Sequence, residues 1–174
     1  WPPCSSRAFT CRCRHRRIRI CIWPTATRTA RAVRERFWEL PLEQLDAREW
    51  EALCDGCGRC CLVKLEDEDS GEVAFTDVAC GYLDTEQCRC RVYPERHHYV
   101  PDCVEVTAEV AQHFDWLPDT CAYRLRARGR PLKAWHPLRS GRAESVREAG
   151  VSVAGRVVSE TTVDEADLEE RIIH

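Results

Sequence analysis

Eight residues constrain this chain more than any other stretch: Cys54-Asp55-Gly56-Cys57-Gly58-Arg59-Cys60-Cys61, a C-x2-C-x2-C-C pattern. Two glycines between the thiols disfavour a helix, since each Gly there costs about 1 kcal/mol. They suit a tight turn whose backbone N–H groups point at sulfur, which is how a metal knuckle is built. Structural zinc sites pair one such knuckle with a second pair of ligands far along the chain. Three Cys at successive two-residue gaps also match the opening of the bacterial iron–sulfur run, but its fourth Cys and its Pro are missing here. Adjacent side chains diverge, so Cys60 and Cys61 are not expected to be equivalent. A glycine-broken knuckle lets Cys54, Cys57 and Cys60 converge and leaves Cys61 to a second centre or the interior. A continued helix would instead group Cys54, Cys57 and Cys61 within about 60°.

The chain has thirteen Cys in 174 residues. Nine follow residue 33: Cys54, Cys57, Cys60, Cys61, Cys80, Cys88, Cys90, Cys103 and Cys121. A disulfide framework needs an oxidising compartment, and the apolar stretch near Ile22 is too short and too broken by Arg19 for a secretion signal. It would also leave one of the nine unpaired. Buried thiols acting as small hydrophobes explain scattered Cys, not clustered ones. All nine are therefore candidate metal ligands, with zinc or iron, including an iron–sulfur cluster, as the partner. The distal ligands are expected among Cys80, Cys88, Cys90, Cys103 and Cys121. Cys88 and Cys90, two apart in an extended segment, would share a face. Metal binding would also supply folding energy to a thin core. Leu, Ile, Val and Phe make up only about 21% of the chain, close to the lower border of about 20% for ordered chains.

Charge divides the chain. Residues 1–33 hold eight Arg and no acid, which leaves 18 bases against all 29 acids in the remainder, a net of −11. An acidic body repels a phosphate backbone, so no nucleic-acid partner is expected. No run of about 18 apolar residues is present, so no membrane-spanning helix is expected. The chain contains no Met. With the charge break and the lack of periodicity, this leads us to expect a disordered or artefactual basic arm over 1–33, a transit peptide being the alternative. With no convincing secretion signal read, a cytoplasmic location is expected. Any protein partner is left open.

The body, residues 34–174, reads as a small, irregular α+β domain, metal-stapled, with short helices and a β-hairpin. Asp46 and Glu49 form a capping box for a helix to about Leu53, with Leu45, Trp50 and Leu53 buried. Leu62–Leu65 and Glu72–Phe75 flank an acidic, Gly-containing tip, a hairpin signal. The tip lacks the ligand pattern of an EF-hand loop. Thr76 or Asp77 is expected to cap a turn carrying Cys80, and the stretch between Pro94 and Pro101 to be irregular. Thr107 is expected to cap a helix to Phe114, and Thr120 one over 121–128, stopped by Gly129. Residues 151–153 and 156–158 look like strands. Thr162 and Glu165 form a capping box for a final helix over 163–173. His97 and His98 are expected to be solvated. His136 is either packed against Trp135, or a metal ligand or acid/base group.

The segments 50–69, 75–80, 88–93, 101–103, 114–125 and 134–138 resemble the YcgN-like branch of the CxxCxxCC (YkgJ-type) cysteine-cluster proteins, a family described as zinc- or iron-chelating. The resemblance spans roughly residues 37–160. It implies that all nine body Cys, Tyr93 and Trp135-His136-Pro137 belong to the module; His97, His98 and His113 match no motif of it. Related modules occur within larger proteins, including a flagellin lysine methylase, which keeps an accessory enzymatic role open beside metal binding and a zinc-stapled adaptor. An enzyme with a Cys nucleophile activated by His136 is a further alternative.

Overall fold

The computed structural model describes residues 33–173. The expected basic arm, residues 1–33, lies outside the described residues except for Val33. The body is α+β, with short helices, a small sheet and many irregular turns.

Helix α1 (Ala47–Glu51) starts at the expected capping box: Asp46 accepts from the N–H groups of Arg48 and Glu49, and Glu49 accepts from the Asp46 N–H. Arg34 closes on the same carboxylate through Nε at 2.7 Å. This pairing lets Glu49 be buried at 1% exposure. Strands β1 (Leu62–Glu66) and β2 (Val73–Ala79) form the expected antiparallel hairpin. The register shifts between Leu62 and Lys64, where the Thr76 hydroxyl donates to the Val63 carbonyl at 2.9 Å. Thr76 and Asp77 thus lie inside β2 and cap no turn, a correction to the sequence expectation.

Two further strands pair on the other side of β2, β5 (Val158–Ser159) in parallel and β6 (Ile172–Ile173) antiparallel. Strands β3 (Leu83–Asp84) and β4 (Arg89–Cys90) make a separate small ladder. The expected strand over 151–153 does not form, although the Val153 N–H donates to the Cys57 carbonyl at 2.9 Å.

Between Pro94 and Pro101 a 3-10 turn (Tyr93–Glu95) runs into helix α2 (Arg96–Tyr99), with Pro94 in the first turn where its missing N–H is harmless. Helix α3 (Ala108–His113) is capped by Thr107 as expected. Helix α4 (Ala122–Ala127) starts one residue later than expected, with Cys121 and not Thr120 at its N-cap. A turn in which the Cys121 N–H donates to the Pro118 carbonyl at 2.8 Å delays the start. Helices α5 (Pro137–Ser140) and α6 (Ser145–Glu148) follow.

The expected final helix is absent. Asp164 competes with Thr162 for the cap and accepts from the Ala166 N–H, so the chain breaks into 3-10 turns at Glu160–Thr162, Glu165–Asp167 and Glu169–Arg171. Pairing of Ile172 with Thr76 then draws the end into the sheet.

The apolar residues gather in two small cores. One is helical: Phe37, Leu53, Ala111, Leu117, Ala122, Tyr123 and Leu132. The other lies under the sheet: Leu62, Ala79, Leu83, Cys88 and Val153. Leu53 belongs to the first and Leu62 to the second, so the eight-residue cysteine motif is the strip of chain that joins the two. No helix among the described residues is long and apolar enough to cross a membrane.

Candidate metal centre

The motif folds as a glycine-broken turn. Gly56 has φ +71° and Gly58 φ +80°, both in the left-handed region. Asp55 Oδ1 accepts from the Cys57 N–H at 3.0 Å, closing the first turn. A 3-10 turn, Arg59–Cys61, follows.

The strip is tied down at four carbonyls. His136 Nε2 meets the Leu53 carbonyl at 3.0 Å. Val153 N–H donates to Cys57, and Cys80 N–H donates to Cys61, each at 2.9 Å. Lys64 Nζ donates to the Cys60 carbonyl at 2.9 Å.

Cys54, Cys57, Cys60 and Cys121 line one cavity of about 40 Å³, together with Asp55, Leu117 and Tyr123. Cys121 reaches it because α4 starts there. The backbone N–H of Gly56 faces the Cys54 sulfur, that of Arg59 the Cys57 sulfur, and those of Tyr123 and Arg124 the Cys121 sulfur, each favouring the thiolate. Desolvation outweighs them. It pushes the Cys121 thiol up to about 11 and Cys57 well above the usual thiol range. Cys54 is pushed up by the same cause although it keeps an exposed edge. Cys60 is raised first by its contact with the Cys61 thiol, Sγ to Sγ 3.9 Å, and then by desolvation. Without a cation the four thiols are therefore held neutral.

Several observations suit a thiophilic cation at this cavity. The donor set is four soft sulfurs. Asp55 Oδ2 is buried with no hydrogen-bond partner, beside the thiols. Among the described residues, no three His, Cys, Asp or Glu side chains already stand at ligating spacing. Each Cys, however, has a single side-chain torsion that swings its sulfur between staggered positions.

The other predicted residues lie elsewhere. Cys80, Cys90 and Cys103 form a half-buried group at the β3–β4 ladder, within charge range of one another. Cys88 does not share a face with Cys90, because its φ of +51° turns it inward. It is buried in the sheet core, its sulfur 3.6 Å from Ser152 Oγ. His97, His98 and His113 are exposed.

His136 is 1% exposed and stacks on Trp135. The Leu138 N–H donates to its Nδ1 at 3.1 Å, so the proton sits on Nε2 and is donated to Leu53. Desolvation also lowers its pKa. With both nitrogens engaged, the imidazole has no lone pair for a metal or for a cysteine nucleophile. Sequence reasoning missed Asp55, whose place between two knuckle thiols was the available signal, and missed the anchoring role of His136.

The family profile for CxxCxxCC, "Putative zinc- or iron-chelating domain", matches residues 53–122. This chain is 55% identical over 139 residues to a UPF0260 protein of Marinobacter nauticus, covering 79% of this chain and 94% of that protein. It is 56% identical over 142 residues to a UPF0260 protein of Rhodobacter capsulatus, covering 81% and 95%. A third, from Parvibaculum lavamentivorans, is 54% identical over 140 residues, covering 80% and 92%. No solved structure matches. The cysteine motif, the segments that carried the resemblance and these relatives agree: the chain belongs to the UPF0260 family and contains its CxxCxxCC domain.

Proposed function

We propose that the chain is a cytoplasmic metal-binding protein whose principal centre is held by the thiolates of Cys54, Cys57, Cys60 and Cys121. The observation that carries this reading is the meeting of the three knuckle thiols with the Cys121 thiol from far along the chain, beside the unpartnered oxygen of Asp55. Bound zinc would serve as a structural four-thiolate staple, and bound iron or an iron–sulfur cluster would add redox capacity. The protein's own part is to supply the sulfurs, aim N–H groups at them and hold the strip by its carbonyls. Because that strip joins two small cores, ligation there would add the cohesion that apolar burial supplies sparingly. All nine described cysteines are free thiols, which suits a reducing compartment.

Anaerobic purification with metal analysis and an absorption spectrum tests the reading. Stoichiometric zinc in a colourless protein, or iron with broad absorbance near about 400 nm, supports it. A folded chain that neither retains nor takes up zinc or iron overturns it.

A further inference from the structure

Backbone pairing draws together three of the five cysteines outside the principal centre, and a fourth, Cys103, lies beside them. Leu62 pairs with Ala79, and the Cys80 N–H donates to the Cys61 carbonyl at 2.9 Å. Cys61 and Cys80 are thus cross-strand neighbours at the end of the hairpin ladder, where opposite Cβ atoms lie about 4.5–5.5 Å apart. The Leu83 N–H donates to the Cys80 carbonyl at 2.9 Å, and Leu83 pairs with Cys90. This carries Cys90 against the turn that holds Cys80. Cys103 enters from the turn after α2, its N–H on the Val100 carbonyl at 3.0 Å. Its sulfur feels the charges of Cys90 and Cys60 and faces the Arg96 guanidinium. The N–H of Tyr82 faces the Cys80 sulfur, the same two-residue relation seen at Cys54 and Cys57. Cys88 stands apart in the core.

Resting on the reading of the principal centre, we infer that Cys61, Cys80, Cys90 and Cys103 form a second thiolate centre for a thiophilic metal, beside the first. Four sulfurs and no His or carboxylate suit zinc or iron and not magnesium or calcium. Binding one divalent ion as a tetrathiolate releases four thiol protons and leaves a net charge of −2, which Arg96 offsets in part. The two centres meet at the Cys60–Cys61 peptide, whose sulfurs lie 3.9 Å apart. All four of these thiols are half-buried.

Alkylation mapping of the full chain by mass spectrometry, with zinc added or removed by chelator, tests this without any substitution. Zinc should slow labelling of Cys61, Cys80, Cys90 and Cys103 by about tenfold or more, because a ligated sulfur is not a free nucleophile. In Cys103→Ser, zinc should no longer protect Cys61, Cys80 and Cys90, while Cys54, Cys57 and Cys121 stay protected. If zinc protects only Cys54, Cys57, Cys60 and Cys121 in the unaltered chain, the second centre does not exist and the principal one stands. If zinc protects neither group, both readings fall.

Discussion

His136 and Leu53 are 83 residues apart in sequence and joined by one buried hydrogen bond: Nε2–H donates to the Leu53 carbonyl at 3.0 Å. Leu53 is the residue before the first knuckle cysteine. A residue from the C-terminal third thus fixes where the metal-binding strip begins. The ring is held by the Leu138 N–H on its other face and is used up by anchoring.

Replacing His136 by Ala leaves a buried carbonyl unpaired and opens a cavity, a loss of about 3 kcal/mol. Urea unfolding of the metal-saturated protein should show it as a lower midpoint. Zinc bound per chain at saturation should stay unchanged, because the imidazole is not a ligand. A drop in saturating stoichiometry in a folded variant would assign His136 to the metal.

Glu49 supplies a pH-dependent contribution. The Arg34 side chain holds its carboxyl down at about 2, against an ordinary value near 4.3 in an unfolded chain. A depressed folded pKa stabilises the protein above the unfolded value, and that stability is lost as pH falls from about 4.3 through about 2. The melting temperature of Glu49→Gln should lie below that of the unaltered protein at pH 7, and the gap should narrow between pH 4 and pH 2. A gap independent of pH would show that packing and not charge is at work.

Much of the fold was legible where a local signal decides it. The Asp46–Glu49 capping box, the hairpin flanking the acidic tip, Thr107 and the helix-stopping Gly129 just past the Arg128 C-cap all rely on contacts within a few residues. The failures share a cause. At Thr162 the box pattern was intact, but Asp164 offered a competing cap and the β2 edge a competing partner for Ile172. At Cys88, even spacing from Cys90 implied a shared face, but the backbone turns into the left-handed region to seat the sulfur in the core. For the site, the knuckle was readable from its spacing. Cys121 was one of five distal candidates, because the long intervening stretch carries no geometric information. Only the position of α4 against the knuckle singles it out.

The two knuckle glycines make opposite demands on space. A Cβ at Gly58 would lie 2.7 Å from Val153 Cγ2 and 3.0 Å from the Cys88 sulfur, whereas one at Gly56 meets nothing within 4 Å. Both have positive φ, so either Ala carries a backbone cost of about 1–2 kcal/mol. Gly58→Ala adds overpacking of about 1–3 kcal/mol. Denaturation should therefore rank Gly58→Ala clearly below Gly56→Ala. Equal losses would mean that Cys88 and Val153 yield freely and do not hold the knuckle.

The central claim is that a cysteine far along the chain from the knuckle completes its centre. Metal content per chain of anaerobically purified Cys121→Ser, set beside Cys54→Ser and Cys88→Ser, tests it most directly. Cys121→Ser should lose the same metal as Cys54→Ser, and Cys88→Ser should retain the full complement. A Cys121→Ser chain that keeps all its metal while Cys54→Ser loses it would contradict the account.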